Sequence, residues 1–241
     1  STDIKNLNHF DPESLDYVYK AVNNIKSSLP EEIPLIGFCG SPWTLAAYSI
    51  EGRSSKDFEK TLGFLESNQK DVHDLLIKYT DACFLYLRKQ VQSGADVIQI
   101  FDSWANLLTK EDLFEFSFNY INSLISALKL DPITKNIPVI IFARNPKCNI
   151  EELINTSADC ISLFWSMNDL NFEVAKNKVA IQGNLDPKIL LESDETIKRE
   201  TYKILERFKE YPGYIFNLGH GITPDISPDK IKYLTNIVRE Y

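Results

Sequence analysis

The chain has 241 residues, 44% of them hydrophobic, with a formal net charge of −8 and a pI near 5.0. That apolar content suffices for one sizeable core and is expected to form a single domain, and no run is long and apolar enough to predict a membrane-spanning helix. The basic residues are dispersed, which argues against nucleic-acid binding, whereas an anionic small molecule stays compatible because a cleft can be locally positive on an acidic protein.

In chain order, the N-terminal stretch Ser1–Asn8 lacks the basic-then-apolar order of a signal peptide. A helical pattern runs from Pro12 to Leu29, and the apolar run Pro34–Gly40 reads as a first strand. Ser41-Pro42 follows it directly, with the form of an N-cap and a proline at the first helical position. Between Asn68 and Gln92 the apolar positions Val72, Leu75, Leu76, Tyr79, Cys83, Tyr86, Leu87 and Val91 recur at steps of three and four. They predict one buried stripe, with Gly94 as the stop. Asp96–Asp102 is a second strand, and Phe114, Phe118, Ile121, Ile125 and Leu128 form a second helical stripe. Strands are then expected at Pro138–Ala143, Asp159–Phe164, Lys178–Gly183 and Tyr214–Leu218. The last helix starts at Ser227-Pro228, with Ile231, Leu234 and Val238 inward. The six runs are apolar throughout, which predicts parallel strands covered on both faces.

Strand–helix alternation of this kind predicts a parallel α/β fold, either an eight-stranded barrel or a doubly wound sheet. Polar and glycine residues cluster after the strands, at Gly40-Ser41, Asp102-Ser103, Arg144-Asn145, Gly183-Asn184 and Gly219-His220-Gly221. Both folds bind ligands at that end. No GxGxxG or GxxxxGK[ST] follows a strand, which favours the barrel. Six strands are not eight, so about six of the eight (β/α) units are expected in this chain, with two units missing at its N-terminal side. Cys39, Cys83, Cys148 and Cys160 form no CxxC pair and read as reduced thiols of a cytoplasmic protein.

The chain holds three histidines. His220 stands between two glycines after the last strand, where it is either a turn histidine bonded locally or a ring presented to a ligand. His9 and His73 have no such context, and His73, beside a helical stripe, reads as solvated. Asp102-Ser103 with His220 does not read as a nucleophilic triad, because adjacent strand residues point to opposite faces and GxSxG is missing.

Three segments carry more specific information: Gly37-Phe-Cys-Gly-Ser-Pro-Trp-Thr-Leu-Ala-Ala-Tyr-Ser-Ile-Glu-Gly52, Gly94-Ala-Asp-Val-Ile-Gln-Ile-Phe-Asp-Ser-Trp104, and Gln182-Gly-Asn-Leu-Asp-Pro187 taken with Asn217-Leu-Gly-His-Gly221. Together they resemble the uroporphyrinogen decarboxylase family from about Leu7 to the C-terminus. The resemblance implies a TIM barrel, (β/α)₈, in a homodimer that uses no metal or organic cofactor. It implies conversion of the four acetate side chains of uroporphyrinogen to methyl groups with loss of CO₂, giving coproporphyrinogen.

By the same resemblance Tyr48, Ser103 and His220 bind the substrate, and all three are expected to converge on one hollow. The alternatives are a core tyrosine with its hydroxyl at the surface, a serine that caps a helix or has its hydroxyl bonded, and a turn histidine bonded locally. The glycines beside His220 are expected to let the macrocycle approach the backbone. Phe101 is expected to wall the cleft, Gly183 and Asn184 to shape its floor, and Arg144 to meet a substrate carboxylate or lie on the surface. The family's arginine-rich first-strand motif and the aspartate of its next unit do not occur here, so no catalytic residue is assigned. Leu163-Phe-Trp165 stands where the family commonly has Leu-Asp-Trp, and Arg53 lies in a loop that is usually glycine-rich. Two rival readings are a methyltransferase of the same superfamily using zinc and a cobalamin protein, and a truncated barrel without catalysis. The first would need a His-x-Cys pair that Cys148 lacks.

Overall fold

The apolar runs and amphipathic stretches become alternating strands and helices in the computed structural model, which describes residues 2–53, 55, 57–168 and 170–241. They group into two compact units, one running to Cys148 and including Asn155–Asp159, the other comprising Asn149–Ile154 and Cys160–Tyr241.

The first unit contains α1 (Thr2–Asn6), α2 (Asp16–Ser28), β1 (Ile36–Gly40), α3 (Pro42–Glu51), α4 (Glu59–Ser67), α5 (Gln69–Gln92), β2 (Val97–Asp102), α6 (Lys110–Asp112), α7 (Asn119–Leu130) and β3 (Val139–Ala143). A π-helical stretch, Leu113–Phe118, leads into α7. β1 pairs in parallel with β2 and β2 with β3, in registers such as Cys39 with Ile100 and Phe101 with Phe142. The α5 stripe is buried at Val72, Leu75, Leu76, Cys83 and Leu87, and half-buried at Tyr79, Tyr86 and Val91. Each fully buried side chain of this kind contributes about 1.5–3 kcal/mol of transfer free energy. The helix ends at Gln92, and Gly94 at φ 110° then turns the chain in a region open to glycine.

One expectation fails at β1. Gly37 and Cys39 are covered, but Ile36 is 42% and Phe38 59% exposed, so this strand alternates. Helix α5 covers only one face of β1; on the other face Phe38 meets the edge of Phe101 at 5.8 Å. The backbone of Phe38 is satisfied by a side chain instead of a strand. Its N–H donates to Gln90 Oε1 at 3.0 Å, and Gln90 Nε2 donates to its carbonyl at 2.9 Å. Gln90 is 3% exposed and supplies the partners a neighbouring peptide group would offer.

The second unit contains α8 (Ile150–Ile154), β4 (Cys160–Ser162), β5 (Ala180–Gln182), α9 (Asp194–Phe208), β6 (Tyr214–Ile215) and α10 (Pro228–Glu240). β4, β5 and β6 pair in parallel through Ile161, Ile181 and Tyr214. The expected run Tyr214–Leu218 is a strand only over its first two residues, followed by a single bridge between Leu185 and Leu218. Leu185, Leu190, Ile197, Ile226, Leu234 and Ile237 form the core under α9 and α10. Ser193 caps α9 by accepting from the Thr196 N–H at 3.3 Å. Ser227 has the backbone of an N-cap, φ −70° and ψ 145°, without a side-chain capping bond, and Pro228 opens α10.

Strand order follows chain order in both units, so the parallel α/β class read from the sequence holds. All four cysteines are thiols outside any disulfide. Among the described residues no helix is long and apolar enough to cross a membrane.

Candidate functional site

In the first unit the ends of β1 and β2 are tied together by one carboxylate. Ser41 caps α3 by accepting from the Thr44 N–H at 3.0 Å, and its own hydroxyl donates to Asp102 Oδ1 at 2.9 Å. Thr44 Oγ1 donates to the same oxygen at 3.1 Å, and Ser117 Oγ, from the π-helical stretch, to Oδ2 at 2.5 Å. Asp102 is fully buried, and burial pushes its carboxyl above the usual aspartate range against the pull of the three hydroxyls.

Tyr48 lies further along α3 and is 39% exposed. Its ring rests edge-on against Phe58 and Trp104, each at 5.8 Å, while those two rings stand 4.3 Å apart. Ser103 is half-buried in the turn after β2. The cap of the following 3₁₀ turn, Ala105–Leu107, is Trp104, so Ser103 is not a capping residue. Trp104 therefore links the two candidates: it follows Ser103 in the chain and carries the ring on which Tyr48 leans. The Arg144 guanidinium sits 5.4 Å from the Trp104 ring centre, close enough for a cation–π contact. Phe101 stands between Phe38 and Phe142, at 5.8 and 5.9 Å, in an aromatic row on the sheet face opposite Asp102. Trp104 and Phe58 were not singled out by the sequence; the tryptophan ending the Phe-Asp-Ser-Trp run was the available signal.

In the second unit Asn184 is 2% exposed. Its Nδ2 donates to the Phe164 carbonyl and to Asn168 Oδ1, both at 3.2 Å, so its amide braces the loop after β4. Gly183, at φ 118°, brings its Cα position so close to β4 that an added Cβ would lie 3.1 Å from the Leu163 carbonyl. His220 is exposed, with Nδ1 3.3 Å from the Gly221 carbonyl and its ring 6.1 Å from Phe164, edge to face. Phe164, 8% exposed, thus stands beside the histidine. The reason for Gly219 differs from the expected one. A Cβ there would lie 2.4 Å from the Trp165 nitrogen, so this glycine admits the protein's own backbone, while Gly221 faces open space. Tyr48 and Ser103 belong to the first unit and His220 to the second.

His73 is not merely solvated. Nδ1 lies 2.7 Å from the Tyr120 hydroxyl and Nε2 3.2 Å from Glu115, with the ring stacked on Phe116 at 4.7 Å. It joins α5 to α7 and the π-helical stretch. His9 is exposed.

Comparison with known proteins agrees with the motifs. The family described as uroporphyrinogen decarboxylase (URO-D) matches residues 1–241. Proteins named uroporphyrinogen decarboxylase are similar across nearly the whole chain. That of Ruthia magnifica is 42% identical over 94% of this chain and 66% of its own length, and that of Magnetococcus marinus is 42% identical over 99% and 68%. For Aquifex aeolicus the figures are 39%, 99% and 69%. The chain thus spans about two thirds of the length of the curated relatives it matches. Among solved structures, a methyltransferase from Methanosarcina mazei superposes with a TM-score of 0.72 at 20% identity, covering 92% of this chain and 63% of that one. A B12-independent methionine synthase from Shewanella sp. gives 0.60 at 14%, over 92% and 66%. At such identities these two speak for the fold alone. With the family match covering every residue and the strand-end motifs in place, the chain belongs to the uroporphyrinogen decarboxylase family.

Proposed function

We propose that this chain forms the substrate-binding part of a uroporphyrinogen decarboxylase, which converts uroporphyrinogen III to coproporphyrinogen III in porphyrin biosynthesis. The observation that carries this reading is the 42% identity to proteins of that name over 94–99% of the chain. The chemistry needs no metal or organic cofactor, because the substrate is its own electron sink. Protonation of a pyrrole carbon makes a ring cation; the acetate C–C bond breaks, CO₂ leaves, and the electron pair moves into the ring. A proton then reaches the exocyclic carbon and completes the methyl group, and a ring proton is lost.

In this reading Tyr48, Ser103 and His220 each contact substrate carboxylates. The Tyr48 phenol donates from an exposed position at the end of its aromatic group, and the Ser103 hydroxyl donates from the turn after β2. His220 donates from the glycine-flanked turn. Arg144, held over Trp104, adds a cation near the same strand ends as Tyr48 and Ser103. A charged donor is worth more to a carboxylate than a neutral one, which suits a substrate bearing eight of them. The arginine-rich motif and the aspartate to which the family owes proton donation and pyrrole binding are not in this sequence, so the 241 residues alone are expected to be inactive. The setting we assign is a cytoplasmic homodimer, and four cysteines outside any disulfide fit a reducing compartment.

The test is an assay of the protein encoded by the whole reading frame with uroporphyrinogen III, following coproporphyrinogen by chromatography. Formation of coproporphyrinogen, with KM raised at least about 10-fold by Tyr48→Phe, Ser103→Ala or His220→Ala, is the expected result. A folded protein that leaves uroporphyrinogen unchanged would refute the reading.

A further inference from the structure

Asp102 is a fully buried carboxylate for which the proposed reaction has no use. It is the last residue of β2, and its side chain points away from the face that carries Phe101, the residue before it in the strand. Its partners lie on the helix side. Ser41 and Thr44 share Oδ1 at 2.9 and 3.1 Å, and Ser117 takes Oδ2 at 2.5 Å. No histidine appears among these partners, so a proton relay through Asp102 has no support.

From this arrangement we infer that Asp102 is a positioning residue: it locks the end of β2 to the start of α3 and thereby orients Ser103 and Tyr48 for substrate. The identity of that substrate rests on the decarboxylase reading above.

The chemistry explains why an acid stands there. The Ser41 hydroxyl already accepts from the Thr44 N–H, so its single proton is committed to Asp102 and its rotation is arrested. A carboxylate presents only acceptors, and three hydroxyl donors converge on it from two further elements, α3 and the π-helical stretch. The backbone closes the same joint. Ser41 N–H donates to the Phe101 carbonyl at 2.8 Å, and Arg144 N–H donates to the Asp102 carbonyl at 3.0 Å. The joint therefore clamps β2 between the first turn of α3 and the start of the loop after β3. Tyr48 lies within α3 on one side of it, and Ser103-Trp104 is the next pair of residues on the other. Because Tyr48 rests on Trp104, a slip at the joint shifts both substrate-facing side chains together. An asparagine would keep the oxygen that serves Ser41 and Thr44 but turn an N–H₂ toward Ser117, whose hydroxyl would have to rotate. It is the conservative replacement, and alanine the disruptive one.

The experiment uses the protein from the whole reading frame and the variants Asp102→Ala, Asp102→Asn and Ser117→Ala, each also combined with Ser103→Ala. Kinetics with uroporphyrinogen III are referred to the folded fraction. Positioning predicts that Asp102→Ala raises KM about 10-fold or more while kcat stays within about 3-fold, and that Asp102→Asn restores most of the loss. It also predicts that the double variant with Ser103→Ala loses less than the product of the two single effects. A purely structural role would lower the folded fraction with KM unchanged, and multiplying effects in the double variant would likewise overturn the inference. Should Asp102→Ala fail to fold, Ser117→Ala removes one donor of three and is expected to raise KM about 3-fold; an unchanged KM overturns the inference.

Amide hydrogen exchange on the ligand-free protein separates this inference from the decarboxylase reading. Asp102→Ala and Ser117→Ala should speed exchange at Leu45–Tyr48 and Ser103-Trp104 by about 10-fold or more, without equal change in α7, and Asp102→Asn should stay near wild type. Unchanged exchange there defeats the joint whether or not the wild type turns over uroporphyrinogen. An inactive wild type with the expected exchange pattern defeats only the decarboxylase reading.

Discussion

The backbone nitrogen of Trp165 occupies the space that a side chain on Gly219 would need: an added Cβ would stand 2.4 Å from it and 2.5 Å from the Trp165 Cα. The residue that follows, His220, is the one that the family resemblance assigns to substrate. The loop after β4 and the turn after β6 are therefore in backbone contact, and His220 is presented from that contact.

Gly219→Ala is expected to destabilise the protein by about 1–3 kcal/mol, since the obstacle is backbone and cannot rotate away. Because the turn must shift, KM for the tetrapyrrole should rise as well. Gly221→Ala meets no atom within 4 Å and should stay within about 0.5 kcal/mol of wild type. Urea unfolding of the two variants side by side checks the contrast; equal costs would show that the Trp165 contact is not what requires a glycine.

At Gln90 the side chain stands in for a strand, with one bond accepted from and one donated to Phe38. Gln90→Ala leaves the part-buried N–H and C=O of Phe38 without their side-chain partner, at an expected cost of about 0.5–1.5 kcal/mol for the lost bonds. The freed edge of β1 should also promote association, read as a concentration-dependent rise in sedimentation coefficient. A variant as stable and as monodisperse as wild type would contradict this role.

The His73 ring holds α5 to Tyr120 of α7 and to Glu115 of the π-helical stretch before it. Burial first, then the charges of Asp74 and Glu115, pushes the Tyr120 phenol above its ordinary range, so it keeps its proton at neutral pH. Tyr120→Phe should cost about 0.5–1.5 kcal/mol in urea unfolding. In a cycle with His73→Ala the two losses should not add, and strict additivity would mean that the 2.7 Å contact carries no energy.

Two aspartates impose opposite slopes of stability on pH. The Leu35 N–H and then Lys26, both at 2.7 Å, hold the Asp96 carboxyl below the usual range despite partial desolvation. Its contribution is present above the ordinary aspartate pKa and is lost as the pH falls through the depressed value. Burial raises Asp102, so its contribution is complete below the ordinary aspartate pKa and is lost as the pH rises through the raised value. Relative to wild type, Asp96→Asn should therefore lose stability as the pH rises from about 3 to 7, and Asp102→Asn should gain. Unfolding free energies across that range test both signs, and parallel slopes for the two variants would exclude the assignment.

How far the sequence could be read depended on where the deciding contacts lie. The α5 stripe from Val72 to Leu87 was legible because its repeat and its stop at Gly94 are contained in one stretch of chain. The cap at Ser41-Pro42 was legible for the same reason. The two-residue length of β6 was not, since beyond Ile215 the pairing continues through separate bonds, such as Leu185 N–H to the Asn217 carbonyl, and no residue of Tyr214–Leu218 announces that. Tyr48 could be picked from a motif, but its partners Phe58 and Trp104 sit outside any periodic pattern. His73 looked like a surface histidine because Tyr120 lies 47 residues away.

What the sequence determined by itself is the alternation of parallel strands and helices, the placing of polar and glycine residues after the strands, and membership of the family. These follow from local periodicity, capping and motif order, which need no knowledge of neighbours in space. Only the tertiary structure decided why Gly219 must be glycine, that Phe38 is exposed, and that Asp102 gathers three hydroxyls at the end of β2. Those outcomes depend on residues such as Ser41 and Asp102, 61 positions apart, meeting where water is excluded and each hydroxyl proton has one acceptor left.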